Sequence, residues 1–514
     1  MSRYVRRAVS NTSSFTIRVT RVAAFVLAAV ALASCGGATN GTSPLPQDVE
    51  SVSEEELVSF HGITARDVDR SLPEVDTIGY DVELAFLGEV PRELGGRTVP
   101  TPVFAASVTV AYVATSSIST LVVDFKKPRL AKVTSAGKPL AFTAQDDEHV
   151  RIALGKSVRA GTGFKLTYTY EILPKEIDAR ESEDGGLVLA PRSIYSASWP
   201  RKGRFWLPLR DAPRDGAMFA AKLTFPSDYT VVSNGVEKAT TSGASGTKTW
   251  SFELLTQIPT YAFFVGASKD WVRKDTRSTS GVEVPSWVTP ANDEKRDQVL
   301  APAVQAIGFL ESTYGTFPFP RAGFVEAPTT WGGGGMEHAT VVAIDPADFR
   351  GPLEDAQHTA IHELCHHYSG DGVRIDSWAD FWLSEGFTEY LTLRSMEAVL
   401  GKEVADARWS GTIADARKTA SLHPLRPRPA AGKEDIDVRE IFDGVVYVKG
   451  AWVLRTLERA VGRARFDAFL KGWFKRHLAG HVTTEDLRRE LEAELGTSFT
   501  KLFDDAVYGT ALPE

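Results

Sequence analysis

Two hydrophobic periods divide the chain. Between about residues 76 and 270, apolar and polar side chains alternate over short runs: YDVELAFL at 80–87, SVTVAYVA at 107–114, STLVVDF at 119–125, HVRIALG at 149–155, FKLTYTYEIL at 164–173, MFAAKLTF at 218–225 and YAFFVGA at 261–267. A period of two puts every second side chain on one face of a strand. The β-branched and aromatic content, with Gly, Pro, Asn and Asp between the runs, predicts strands joined by turns. No repeat of fixed length is present, and the expectation is an all-β domain of sandwich type. The period then lengthens. Residues 293–314 carry Val299, Val304, Ile307, Phe309 and Leu310 at helical spacing. Strand-like pieces follow at 322–327 and 340–344. After Asp355 the pattern predicts helices over 355–369, 384–400, 403–419, 447–461, 464–477, 484–495 and 498–507, with a proline-rich loop at 423–437.

The first 35 residues follow neither pattern. Arg3, Arg6, Arg7, Arg18 and Arg21 make a basic start, and residues 22–33 (VAAFVLAAVALA) carry no charge. Such a run is too short to cross roughly 30 Å of hydrocarbon and fits the core of a signal peptide. It ends in Leu32-Ala33-Ser34-Cys35, which resembles the lipobox of bacterial lipoproteins. That resemblance implies cleavage before Cys35, an acyl anchor on its thiol and a place on the outer side of a membrane. Residues 36–72 begin with a Gly, Ser, Thr and Pro-rich stretch and read as a flexible tether, with a short helix expected near 53–58.

At 514 residues the chain exceeds what one core organises, and its net charge of −8 argues against a nucleic-acid partner. Its two cysteines, Cys35 and Cys365, make no disulfide framework.

The chemistry concentrates in His362-Glu363-Leu364-Cys365-His366. Residues four apart share a helix face, so two imidazoles so placed can hold one metal ion, with Glu363 beside the first to act on water. A catalytic zinc needs a third protein ligand and an open position. Glu385, nineteen residues after His366 in WLSEGF, lies at the start of the next helical segment, and an antiparallel turn through 370–376 would bring it alongside. A two-histidine, one-carboxylate set suits zinc. His358 extends the same stripe and is read as an orienting or surface histidine, because a fourth ligand would close the site. His367 points off the ligand face. Cys365 reads as a small buried apolar residue. Glu389 and, more weakly, Asp380 are either carboxylates that orient a ligand histidine or solvated helix residues.

Further motifs accompany this core: GGGGMEH at 332–338, Tyr447-Val448-Lys449-Gly450, WLPLRDAP at 206–213, VSNG at 232–235 and PTYAFFVG at 259–266. Together with HExxH and the spacing to Glu385, they resemble the gluzincin aminopeptidases, the family of aminopeptidase N and the leukotriene hydrolase, over most of the chain. The resemblance implies a multidomain α+β protein. Its expected parts are a signal peptide over 1–35, a tether over 36–72, an N-terminal β-sandwich domain over 73–272, a thermolysin-like α/β zinc catalytic domain over 273–420, and a short α-helical C-terminal part over 421–514 that carries Tyr447. It implies one zinc ion on His362, His366 and Glu385, with Glu363 as general base and Tyr447 as hydrogen-bond donor to the oxyanion. It also implies that Glu337 takes the free α-amino group of a peptide, with Gly334, Gly335 and Met336 against its backbone. The sequence departs from the family in two places. His338 stands where the motif usually has Asn, and the stretch 195–199 (YSASW) offers neither Gln nor Glu to share the amine. A zinc endopeptidase on the same scaffold, and a catalytically silent surface binding protein, are the alternative readings.

Overall fold

The alternating runs become strands whose apolar faces meet. In the computed structural model, which describes residues 48–514 except 53–56, 58–67, 95, 127–129, 174, 177–184, 191, 244–245, 330–331 and 434, strands β1 (Val75–Leu94) and β2 (Arg97–Ala114) form a long antiparallel hairpin. Val82 stands opposite Val108 and Leu84 opposite Ala106, so Tyr80, Val82, Leu84, Val108 and Val110 point into the core. Strand β3 (Gly163–Ile172) pairs with β2, and β4 (Gly216–Pro226) runs parallel to β1. These are the centre of a nine-stranded sheet. A three-stranded sheet of Ile118–Asp124, His149–Val158 and Phe142–Ala144 sends Leu121, Val123 and Ile152 into the same core. This is the expected β-rich N-terminal domain.

A further five-stranded sheet contains Ser193–Ala197 and Val265–Ser268. The expected strand at 261–267 is only half realised. Thr260–Ala262 is a 3₁₀ turn, and pairing begins at Val265. Pro259, extended and without an N–H, sets up that turn, and Phe263 N–H closes it on Thr260 O at 3.2 Å.

The catalytic half begins with a five-stranded sheet in the order Val272–Arg277, Glu283–Val288, Gly323–Glu326, Val341–Ile344, Gly335–Met336. Its last strand, β5 (Gly335–Met336), is an edge that pairs antiparallel with β6 (Val341–Ile344). The helices follow close to expectation: α1 (Arg296–Tyr314), α2 (Leu353–Cys365), α3 (Phe381–Val399), α4 (Lys402–Thr419), α5 (Gly444–Val461), α6 (Arg463–His477) and α7 (Thr484–Leu495). The last predicted helix is only a short turn, Thr500–Leu502, continued by π-type winding over Phe503–Val507. Helix α3 is buried at every position from Phe381 to Met396, polar ones included. A helix buried all round is a central core element. Both halves contribute to one continuous apolar core.

The leader 1–35, Cys35, most of the tether 36–72 and all but Leu57 of the short helix expected near 53–58 lie outside the described residues; the tether's described part is no free linker, since Val49 is buried and Ser51–Val52 pairs antiparallel with β3. No helix among the described residues is long and apolar enough to cross a membrane.

Candidate metal centre and substrate cavity

Helix α2 presents His362 and His366 one turn apart, and α3 crosses beside it. The ligand atoms of His362, His366 and Glu385 all lie within 4.8 Å of one another. Glu385 Oε2 sits 3.3 Å from Nε2 of each histidine. All three residues are buried.

The far side of each ring explains what this convergence requires. His366 Nδ1 is 3.0 Å from Ser369 O, which can only accept, and 3.1 Å from Thr388 Oγ1, whose own proton goes to Ser369 O at 3.2 Å. Nδ1 therefore carries the hydrogen. His362 Nδ1 faces Glu389 Oε2 at 3.2 Å, again an acceptor. Both neutral imidazoles are thus held in the tautomer that leaves Nε2 as a bare lone pair, and both lone pairs point at a carboxylate oxygen. Two nitrogens and one oxygen converging in this way fit a divalent cation of zinc's preference. Without a metal, a proton takes that role. Burial pushes His362 towards neutrality, but hydrogen bonds to Glu385 and Glu389 lift its pKa well above the usual histidine value. Burial likewise works against charge on Glu385, yet the two histidines hold it down at about 2.

The neighbouring side chains converge on the same space. A cavity of about 210 Å³ is lined by Gly334, Gly335, Met336, Glu337, His362, Glu363, His366, Glu385 and Tyr447, together with Trp199, His358, Thr359, Glu389 and Phe442. Every site residue expected from sequence, Cys35 apart, is in that lining. Glu337 hangs from the end of edge strand β5. The glycines before it take left-handed conformations, with φ of +77° at Gly332, +129° at Gly333 and +78° at Gly334. Thr329 Oγ1 accepts from Gly332 and Gly333 N–H, and Asp348 Oδ1 accepts from Gly334 N–H at 3.0 Å, which pins the turn. Gly335 has no room for a side chain: a Cβ there would overlap the Glu363 stem and lie 2.9 Å from Ala343 O. Glu337 Oε1 is buried with no hydrogen-bond partner among the described residues. Burial drives the Glu363 carboxyl up to about 8, with the two histidines pulling the other way. Tyr447 is held far above the ordinary phenol value by burial and then by the carboxylates of Glu385, Glu363 and Glu337, so it stays a protonated donor. Its ring lies 5.8 Å from that of His362.

The Peptidase M1 N-terminal domain matches residues 80–262 and the Peptidase family M1 domain matches residues 299–505, together most of the chain. The chain belongs to peptidase family M1. Family M1 enzymes are zinc metallopeptidases. Aminopeptidase N of Streptomyces lividans is 30% identical over 400 residues, which is 73% of this chain and 44% of that protein. Tricorn protease-interacting factor F2 of Thermoplasma volcanium is 26% identical over 59% of this chain and 39% of its own length. The chain thus spans less than half of the curated relatives it matches. An M1 zinc metallopeptidase from Deinococcus radiodurans, solved as a variant bound to Tyr-Ser-Ala, superposes with a TM-score of 0.71 at 25% identity, covering 87% of this chain and 98% of that one.

Glu389 is not a solvated carboxylate: it is buried between His358 Nε2 at 3.0 Å and His362 Nδ1 at 3.2 Å. His358 is thereby an orienting residue, one step removed from the centre. Asp380 plays no such part. It accepts from Thr484 N–H at 2.9 Å and from Arg426 Nε at 3.3 Å, tying α7 to the start of α3. His367 is structural, as expected: its Nε2 accepts from Thr340 N–H at 2.9 Å, and burial lowers its pKa to about 3. His338, in place of the motif's usual Asn, is buried 4.7 Å from the Phe264 ring and held neutral, with a pKa near 3. Ser196 and Ser198 are already engaged, by Val265 N–H at 2.9 Å and Trp206 Nε1 at 3.0 Å. Trp199, Phe442, Thr359 and Thr388 were not legible as site residues. Trp199 and Phe442 meet in the cavity lining with ring centroids 4.5 Å apart and planes tilted by 50°, although 243 positions apart in sequence.

Proposed function

We propose that the protein is a zinc-dependent aminopeptidase that releases N-terminal residues from peptides. The observation that carries this reading is the buried convergence of His362, His366 and Glu385, with the unpartnered Glu337 oxygen in the same cavity. His362, His366 and Glu385 are the residues that would hold zinc. When bound there, zinc supplies Lewis acidity, acidifying water and polarising the scissile carbonyl. Glu363, raised by burial, accepts a proton from the attacking water and returns it to the leaving amine. Tyr447 donates its hydroxyl proton to the oxygen on which negative charge develops. Glu337 accepts the α-ammonium and so selects a free N-terminus, since an acylated amine would leave a buried carboxylate without its cation.

The test is a panel of fluorogenic aminoacyl amides with N-acetylated controls, assayed before and after chelation and with zinc returned. Turnover of free amides only, lost with the metal and restored by zinc, is the expected result. Equal cleavage of free and acetylated peptides would establish the endopeptidase alternative. That second reading is favoured by one observation: the 195–199 stretch holds neither Gln nor Glu to share the amine with Glu337. No turnover and no zinc uptake would point to the silent binding protein.

We further propose that Cys35 carries a lipid and that the enzyme works outside the membrane holding it. The support is the basic start, the uncharged run and the Leu-Ala-Ser-Cys sequence. Metabolic palmitate labelling that is undiminished in Cys35→Ala would refute this.

A further inference from the structure

A second, larger cavity has a volume of about 730 Å³. Trp199 and Phe442 line the smaller one, and their chain neighbours Pro200 and Ile441 line the larger. The Trp199–Pro200 and Ile441–Phe442 peptide units thus link the two linings. One wall of the larger cleft comes from residues 200–205 of the β-rich part, and the other from the 427–441 segment between α4 and α5.

Its charge is opposite in sign to that of the whole molecule. The chain carries −8 overall, yet seven basic and four acidic side chains line this cleft. Three of the acids are already taken. Glu148 binds Lys126 at 3.0 Å, Asp437 binds Arg439 at 2.6 Å, and Asp435 meets Arg201 at 3.3 Å while accepting the backbone N–H of Trp378 at 2.9 Å. Arg428 and Lys433 are exposed to the cleft and form no ion pair with any described residue, and Glu440 is the acid left without a cation. Spare cations on a concave wall concentrate a positive field that a surface chain of the same charge does not.

We infer that this cleft is the outgoing arm of the substrate site, and that Arg428 and Lys433 receive a carboxylate of the peptide downstream of the scissile bond. The inference rests on the aminopeptidase reading. With the α-amine at Glu337 and the scissile carbonyl beside Tyr447, the remaining residues leave past Trp199 and Phe442. An extended chain advances about 3.4 Å per residue, so the group offered to this cleft belongs to a residue beyond the scissile bond, not to the one released. The carboxylate is either the free C-terminus of a short peptide or an acidic side chain.

The experiment compares kcat/KM for tetra-alanine, tetra-alanine amide and an Ala-Ala-Asp-Ala amide, using the zinc-loaded full chain and its Arg428→Gln/Lys433→Gln double variant. Each enzyme is judged by its own acid-to-amide ratio, which is independent of the folded fraction. A ratio of about 5–10 at low salt is expected, shrinking at high ionic strength and falling to about 1 in the double variant. A gain confined to tetra-alanine acid identifies the free terminus as the ligand, whereas a gain for the aspartate peptide extends it to side chains. A ratio of about 1 in the unmodified enzyme, or one that the double variant leaves unchanged, overturns the inference while leaving the peptidase reading intact. If none of the peptides is cleaved by zinc-loaded enzyme, that reading falls and the inference with it.

Discussion

Gly450→Ala adds one methyl where α3 and α5 cross. Its Cβ would stand 2.8 Å from Gly386 Cα and 3.7 Å from Trp382 Cε3. Saturated carbons rest about 3.5–4.0 Å apart, so the helices must separate by about 1 Å at that point. The surroundings resist: α3 is buried throughout its first four turns, and Val446, Val453 and Leu454 of α5 are buried as well. Overpacking of this kind costs about 1–3 kcal/mol. The two glycines also adjoin the chemistry. Gly386 follows Glu385 directly, and Gly450 lies one turn after Tyr447. Glu385 has a jointed stem and can follow the metal. Tyr447 is a rigid ring whose hydroxyl must meet a developing charge, and a misplacement of about 1 Å in such a group lowers the rate about 100-fold. The variant should therefore retain one zinc per chain, melt a few degrees lower, and lose about 10–100-fold in kcat/KM on an aminoacyl amide. Metal analysis, calorimetry and steady-state kinetics on one preparation check all three. A kcat/KM within twofold of the parent at an unchanged melting temperature would refute the argument that this glycine contact sets the spacing of the two helices.

Gly335→Ala should displace the Glu363 stem and crowd the Ala343 carbonyl, lowering kcat about 100-fold with zinc affinity unchanged; parallel loss of zinc in a competition titration would contradict this. Glu389→Gln removes the charge behind His362 and should weaken zinc binding about 10–100-fold, read by competition with a chromogenic chelator. The third concerns pH. Burial opposes charge on His481, but it lies 2.6 Å from Asp69 and 3.1 Å from Asp376, and these raise its pKa to about 9. Stability drawn from this group is complete below about 6.5, its ordinary value, and fades as pH rises towards 9. The melting temperature of the parent should fall relative to His481→Gln across that window, and a constant difference between the two would exclude the linkage.

Much of the fold was readable because its elements obey local rules. The hairpin of β1 and β2 alternates over 80–84 and 103–110, where one face is core and the other is not. Helices α4 to α7 begin and end within a few residues of their periodic runs, and Thr483 caps α7 through a reciprocal bond with Asp486, which any sequence displays. Helix α3 obeys no such rule. It is buried on every side, so its polar residues mark partners rather than solvent, and periodicity could not tell which. The segment at 261–267 failed for a related reason: an apolar run reads as a strand whether or not a preceding proline has turned the chain.

The site separates in the same way. His362, Glu363, His366 and Glu385 are legible because their geometry is set within one helix and its immediate successor. Glu389 and Asp380 could not be assigned from sequence, since an acid in or beside α3 reads the same whether it faces a ligand histidine or another partner. What decides is the element packed opposite: α2 brings His358 and His362 to Glu389, while Thr484 and Arg426 come to Asp380 from the C-terminal part. Trp199 and Phe442 are the extreme case, because their ring contact joins the β-rich part to the loop before α5 and neither has a local signature. The catalytic chemistry is thus written in short-range spacing, whereas the walls that choose a substrate are assembled from distant segments. It follows that changes at Arg428, Lys433, Trp199 or Phe442 should shift which peptides are accepted, while changes at the legible core should abolish turnover for all of them.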